Sequence, residues 1–366
     1  MKNMQKKNKS LAKKKYSLLW KILLCILIVA LVVLAVGYMV IHSYLSKIDY
    51  QNDNMIGDNL VTETEEELWE EEEETGEDSP EDEIAALEEH LREQISSEDE
   101  ALYDKDVLNI LLIGCDSRTK NGRGRSDSMI LVSINQNTKE IYMTSIMRDS
   151  YVSIPGHQDN RINAAYAFGG ASLLMDTIEA NFKIKVDKYA AVDFYSFVDI
   201  VDSMGGIDLE VSDAEVKVMN KYIRQLNRLN GRDEESYVLE KGGSYHLNGT
   251  QTLAYSRVRY VGNADFERTQ RQRTVLTKVF EKAQNMNLME MNDLLNALLP
   301  EIKTNMSEGE VFSLLLKAPS YLKYDLLQQR IPADGTYSSM RIRGMAVLGI
   351  DLEKNRKLLE ETIYKK

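Results

Sequence analysis

The rhythm of hydrophobic and polar positions changes three times along this chain, and the changes divide it. Residues 22 to 41, "ILLCILIVALVVLAVGYMVI", run for twenty positions without a charge. A helix rising about 1.5 Å per residue would there cross the roughly 30 Å apolar layer of a bilayer. A helix buried in a protein core keeps polar residues on some face. A cleavable signal peptide has a shorter apolar run ending in a small-residue site. The run therefore predicts a retained transmembrane helix over 22–44. From 49 to 106 apolar positions become sparse, and only Ile84, Leu87, Leu91 and Ile95 recur at helical spacing. This stretch reads as a disordered spacer holding one short amphipathic helix.

From residue 107 the pattern becomes that of a folded domain. "VLNILLIG" (107–114), "SMILVSIN" (128–135) and "EIYMTSIM" (140–147) read as strands, the last two joined as a hairpin through 136–139. A helix is predicted over 171–182, a strand over 189–194, and a helix over 195–205 stopped by Gly205-Gly206. "IDLEV" (207–211) is a further strand, and the polar insert 212–246 fits no single element. Residues 250–260 predict a short helical turn running into an extended segment. A long helix follows over 265–284 with Asp265 as its N-cap. Residues 307–317 read as a helix, "MRIRGMAVLG" (340–349) as one strand, and 351–364 as a closing helix. Strands and helices are interspersed without repeats or a long Pro/Gly linker. The expectation is an α/β fold: a single three-layer domain over 107–366, with a central mixed β-sheet flanked by helices.

Charge sharpens these boundaries. The formal net charge is -13, but residues 1–48 carry +9, residues 49–106 carry -23 and residues 107–366 carry +1. The acidity belongs to the spacer, drawn over 45–106, whose self-repulsion and polarity suit reach rather than folding. The lysines that precede the apolar run make 1–21 a basic cytoplasmic tail and place everything after the span outside the cell. Two cysteines exclude a disulfide scaffold, and four scattered histidines show no zinc spacing. Cys115 beside Asp116 has no histidine near it in sequence, so it reads as a small buried residue rather than a nucleophile.

Candidate chemistry concentrates in "SRVRYVGNADFERTQRQR" (256–273), which holds five arginines and no lysine. If 253–260 is extended, Tyr255, Arg257 and Arg259 share a face. On the helix, Arg268 and Gln272 continue the apolar stripe of Val275, Leu276, Val279, Phe280 and Ala283, while Arg271 and Arg273 lie toward its edges. A guanidinium on the core-facing side of a helix is costly unless it meets an anion. Arginine grips phosphate oxygens with a planar fork, which lysine lacks. Convergence of Arg257, Arg259, Arg268 and Gln272 therefore favours a bound phosphate group over surface ion pairs. Upstream, "LLIGCDSR" and "GRGRSDSM" place Asp116, Arg118, Arg125 and Asp127 at strand ends, where α/β proteins hold ligands. The two carboxylates suit either a shared hard cation such as Mg²⁺ or ordinary turns paired with Arg118 and Arg125, and spacing does not decide between them. Arg148 follows the third strand.

The ordered run of "NILLIGCDSR", "GRSDSMILVSIN", "TSIMRDSYVSIP", "RINAAYAFGG", "VDFYSFVDIVDSMGGIDLEV", "LNGTQTLAYSRVRY" and "DFERTQRQRTVL" resembles the LytR-CpsA-Psr (LCP) family over most of 107–285. The resemblance implies an external, membrane-anchored domain in a Gram-positive envelope. It would transfer a glycopolymer, such as a teichoic acid or capsular polysaccharide, from an undecaprenyl pyrophosphate carrier to peptidoglycan. It also implies that Asp116 and Asp127 hold Mg²⁺, or Mn²⁺ in its place. Arg118, Arg125, Arg148, Arg257, Arg259, Arg268 and Gln272 would bind the pyrophosphate. Asp265 would act in catalysis together with Arg148 and Arg257, and the prenyl chain would run through an apolar pocket. Departures from the family pattern are mild: Cys115, Met147 where Pro is frequent, and Arg161 where Lys is common. Alternatives are a polyprenyl pyrophosphate hydrolase, a non-catalytic lipid binder and a DNA-binding regulator. The last is disfavoured by the external location, the near-neutral domain and the lack of a helix-turn-helix, so no nucleic-acid partner is expected.

Overall fold

The structure is a computed structural model and describes residues 39, 41–51, 77–96, 100–115, 126–259 and 264–365. The chain divides into two compact units, Met1–Lys47 and Ile48–Lys366. In the first, residues 41–45 are helical. The predicted span over 22–44 otherwise lies outside the described residues, among which no helix is long and apolar enough to cross a membrane.

The second unit opens with β1 (Asp49–Tyr50) and α1 (Glu81–Ser96), then the strands β2 (Val107–Cys115), β3 (Ser126–Asn135), β4 (Glu140–Ile146), β5 (Ser150–Val152) and β6 (Asn160–Arg161). Next come α2 (Asn163–Phe182), β7 (Lys188–Asp193), α3 (Phe194–Ser203), β8 (Ile207–Val211), α4 (Asp213–Leu229), β9 (Gly243–Leu247) and α5 (Gly249–Ser256). The chain closes with α6 (Ala264–Gln284), α7 (Leu288–Leu298), β10 (Lys303–Thr304), α8 (Glu308–Tyr321), β11 (Asp325–Ile331), β12 (Tyr337–Ile342), β13 (Met345–Ile350) and α9 (Leu352–Ile363).

Among the described residues the main sheet is mixed and has seven strands, ordered β1-β10-β7-β2-β3-β4-β11. β2, β3 and β4 form an antiparallel meander, whereas β7 joins β2 and β11 joins β4 in parallel. Strand alternation sorts side chains onto two faces. One face carries Leu111, Ile113, Met129, Leu131 and Tyr189, all buried against α1, α2 and α9 through Leu91, Leu174, Phe182 and Leu359. Each fully buried aliphatic side chain there contributes about 1.5–3 kcal/mol. The opposite face is covered by α6 and α8, which meet Ile134 and Ile141 through Phe280 and Tyr321. In the middle of that face Leu112, Val132, Ala190 and Val192 remain only half-buried. A helix–sheet–helix arrangement is thus present, with one apolar face incompletely closed.

Several expectations change in the structure. The spacer drawn over 45–106 ends earlier than expected: α1 packs into the core through Leu91, and the Arg356 guanidinium donates to the Gln94 side chain at 2.6 Å. α2 starts at Asn163 rather than Ala171, with Gly170 (φ 68°) marking the kink that resembled a start. The single strand over 340–349 is a hairpin, β12–β13, turned at Arg343-Gly344 where φ is positive (53° and 75°). The insert 212–246 holds α4 and most of β9, which pairs with β8. Helix α4 is fixed by a capping box in which Ser212 and Glu215 satisfy each other's backbone N–H groups.

Candidate functional site

The site lies at the end of the sheet where β2, β4 and β7 finish and β3 begins. Asp127 is the second residue of β3, and Arg148 follows β4 by two residues. Antiparallel pairing of these strands brings the two together, and Arg148 Nη1 donates to Asp127 Oδ1 at 2.7 Å. Arg148 Nε also lies 3.5 Å from Asp149, which meets Arg161 at the same distance. From α6, Arg268 Nη2 donates to the Asp127 carbonyl oxygen at 3.4 Å. Arg148 and Arg268 are 9% and 4% exposed, so two guanidinium groups are held out of water beside one carboxylate. Arg259 is near enough to act on the same carboxylate electrostatically.

Burial pushes the Asp127 carboxyl up. Arg148, Arg268 and Arg259, helped by the Arg148 hydrogen bond, more than reverse this and hold it well below the usual carboxylate range. Its contribution to stability is therefore complete above its ordinary value of 3.8 and is lost as pH falls through the depressed folded value. Asp127→Asn should cost on the order of 2 kcal/mol at pH 7 and progressively less below pH ~4. Denaturant unfolding of both proteins across pH 7 to 2 checks this. A gap that stays constant with pH would mean that Asp127 is not the stabilising anion.

Sequence reasoning missed how the Arg257–Arg259 segment is supported. Residues 253–256 are helical rather than extended, because α5 has its own capping box between Asn248 and Gln251. Tyr255, Arg257 and Arg259 therefore do not share one strand face, and Arg257 instead caps α5 in the αR region (φ -96°, ψ -7°). α5 is seated close against α3, since a Cβ on Gly249 would meet the Val198 carbonyl oxygen at 2.1 Å. The Arg257 guanidinium lies 5.2 Å from the ring centre of Tyr222 on α4. Arg271, expected at the edge of the inward face, is 5% exposed. Its Nε donates to Glu215 of α4 at 2.7 Å and its Nη1 to the Val258 carbonyl oxygen at 3.1 Å. Val258 sits between Arg257 and Arg259, so Arg271 ties that segment to α6 and to the insert. Arg273 is equally buried. Helix α6 begins at Ala264, which puts Asp265 inside its first turn rather than at the N-cap.

Gln272 is half-buried on α6. Asp116, Arg118 and Arg125 lie outside the described residues, as does the Asp265 side chain. Of the expected metal pair only Asp127 can be weighed. Its chemistry suits a hard cation: it is held ionised, Oδ1 is engaged by Arg148, and the second oxygen has no hydrogen-bond partner among the described residues. Cys115 is buried and burial raises its thiol, as expected of a packing residue.

This arrangement can bind an anion with several oxygens, fixed in orientation by guanidinium forks from three separate elements. Proteins of known activity share the chain's sequence and fold. It is 32% identical over 242 residues to the polyisoprenyl-teichoic acid–peptidoglycan teichoic acid transferase TagU of Bacillus cereus, covering 65% of this chain and 73% of that protein. It is 33% identical over 215 residues to the corresponding transferase TagT of Bacillus subtilis, covering 57% and 63%. Among solved structures it resembles B. subtilis TagT (TM-score 0.55, 26% identity, 74% of this chain and 99% of that one). It also resembles YwtF (TagT) with bound octaprenyl pyrophosphate lipid (TM-score 0.54, 26% identity, 74% and 98%). The LytR_cpsA_psr family pattern matches residues 61–363, so the chain belongs to that family.

Proposed function

We propose that this protein is a phosphotransferase that moves a glycopolymer of teichoic acid or capsular type from a polyprenyl pyrophosphate carrier to peptidoglycan. The observation that carries the reading is the buried guanidinium cluster around Asp127, standing at the end of a half-covered apolar sheet face. A lipid pyrophosphate has these two halves, a compact polyanion and a long apolar chain. The prenyl chain would lie along Leu112, Val132, Ala190 and Val192. The pyrophosphate would then meet Arg148, Arg259 and Arg268. Arg257, Gln272, Arg118 and Arg125 complete the proposed clamp. The relatives named above, one with a prenyl pyrophosphate bound, support the same assignment.

In the reaction a peptidoglycan hydroxyl oxygen attacks the phosphorus bonded to the glycopolymer. The phosphoanhydride bond breaks, and polyprenyl phosphate, undecaprenyl phosphate in this reading, leaves. Charge grows on the phosphoryl oxygens and on the bridging oxygen during this step. Guanidiniums already fixed by Asp127 and Asp149 stabilise that charge without having to reorganise. Asp265 would accept the hydroxyl proton in this reading. Asp127 together with Asp116 would hold Mg²⁺, or Mn²⁺, which when bound neutralises further phosphate charge. The basic tail and apolar run at 1–44 would anchor the protein with its catalytic domain outside the cell.

The test uses the full chain in detergent, a polyprenyl-pyrophosphate-linked saccharide and peptidoglycan. Saccharide phosphate joined to peptidoglycan, with polyprenyl phosphate released, is the expected result. Free saccharide phosphate formed equally well without peptidoglycan would make the protein a hydrolase. Lipid binding with no turnover would make it a carrier protein.

A further inference from the structure

Arg273 is not explained by the site around Asp127. It is 5% exposed, yet neither its Nε nor its Nη1 has a hydrogen-bond partner. Its Nη2 donates only to the neutral Gln270 side chain on the same helix, at 2.5 Å. The charge acting on it among the described residues is that of another cation, Arg330. Burial and that neighbour together pull the Arg273 guanidinium down to about 10, which still leaves it charged at neutral pH. A buried cation with two idle donors beside a second cation is costly for the protein alone.

The surroundings are shaped for an anion. Phe266, Gln270, Arg273 and Thr277 recur at helical spacing along the side of α6 that faces β11. Arg330 lies 4.4 Å from the Phe266 ring centre, and Gln328 donates to Thr277 at 2.8 Å. Ser145 pairs in register with Arg330 in the parallel β4–β11 ladder, so it points to the same face. Its buried hydroxyl likewise has no hydrogen-bond partner. Arg330 pairs with the exposed Asp334 and its Nε donates to the Pro332 carbonyl oxygen at 3.2 Å, while no carboxylate among the described residues acts on Arg273. Ser145 pairs with Ile130, three residues beyond Asp127 on β3. At about 3.3 Å per residue the Ser145 backbone therefore lies ~10 Å along the sheet from that of Asp127.

We infer that Arg273 and Arg330, with Ser145, form a second oxyanion-binding subsite for a phosphate or phosphodiester group separate from the one held around Asp127. Its occupant is either a phosphodiester of the glycopolymer chain or free inorganic phosphate. Only the first identification rests on the proposed transfer reaction, and a binding measurement does not depend on turnover.

The experiment titrates the full chain in zwitterionic detergent at fixed ionic strength. The probes are inorganic phosphate and glycerophosphoglycerol, and calorimetry compares wild type, Arg273→Gln and Arg268→Gln. Wild type should bind phosphate at two sites. Arg273→Gln should keep one and weaken the other at least tenfold, and Arg268→Gln should do the converse. Diester binding lost in Arg273→Gln assigns the subsite to the polymer, and phosphate binding alone assigns it to the free ion. If Arg273→Gln fails to fold, Arg330→Gln takes its place. Titrations with both probes that match wild type in the substituted protein overturn the subsite, whatever the transfer assay shows.

Discussion

Arg148→Ala should lower kcat/KM for glycopolymer transfer by about 10²–10³, equivalent to ~2.7–4 kcal/mol of transition-state stabilisation. Two losses add. The first is a buried fork, 9% exposed, aimed at the place where phosphoryl charge would grow. The second is the 2.7 Å bond that fixes Asp127, whose carboxyl would drift up toward its ordinary value once its closest cation is gone. Arg148→Lys restores a charge but not the planar fork, so it should recover less than half of the lost free energy. The effect should fall mainly on kcat, because a preorganised donor serves the developing charge more than the ground state. Steady-state kinetics of the full chain in detergent, with a synthetic lipid-linked saccharide and peptidoglycan, measures both terms. Activity of Arg148→Ala within threefold of wild type would remove this residue from the reaction.

The strand meander and its end-of-strand residues were legible because short-range patterns encode them. Alternating apolar runs predicted β2, β3, β4 and β7, and pairing of β3 with β4 brought Asp127 to Arg148. Arginine in place of lysine at 257, 259 and 268 singled out a segment of which Arg259 and Arg268 come to Asp127. What could not be read depends on distant partners. Helical periodicity on α6 picks out one buried stripe, and it assigned Arg271 and Arg273 to the margins. Yet α6 is covered on further sides by α4 and β11, whose contacting residues Glu215 and Gln328 are 56 positions from Arg271 and 58 from Gln270. No window along the chain sees them. The extended reading of 253–260 failed for a local reason: the Asn248–Gln251 capping box starts a helix that propensity alone left as a turn.

Breaking the pair between Glu215 and Arg271 should cost about 3–5 kcal/mol of stability for either single substitution, Glu215→Ala or Arg271→Met. The two side chains are 13% and 6% exposed and meet at 2.7 Å, so removing one strands the other's charge in a dry setting. Burial pushes the Glu215 carboxyl up, but hydrogen bonds from the Ser212 backbone and from Arg271 hold it below its ordinary value, so it is ionised at pH 7. The double substitution should cost clearly less than the sum of the two, because it leaves no unpaired charge behind. Chemical unfolding of the four proteins at pH 7 closes the cycle, and additive losses would show that the pair is not coupled. A catalytic consequence separates positioning from simple stability. Arg271 holds the Val258 carbonyl oxygen, and Val258 joins Arg257 to Arg259. Below its unfolding midpoint Arg271→Met should therefore show a lower kcat on the lipid-linked substrate, although Arg271 itself reaches Glu215 and the Val258 backbone. A kcat equal to wild type at that temperature would confine Arg271 to holding the fold together.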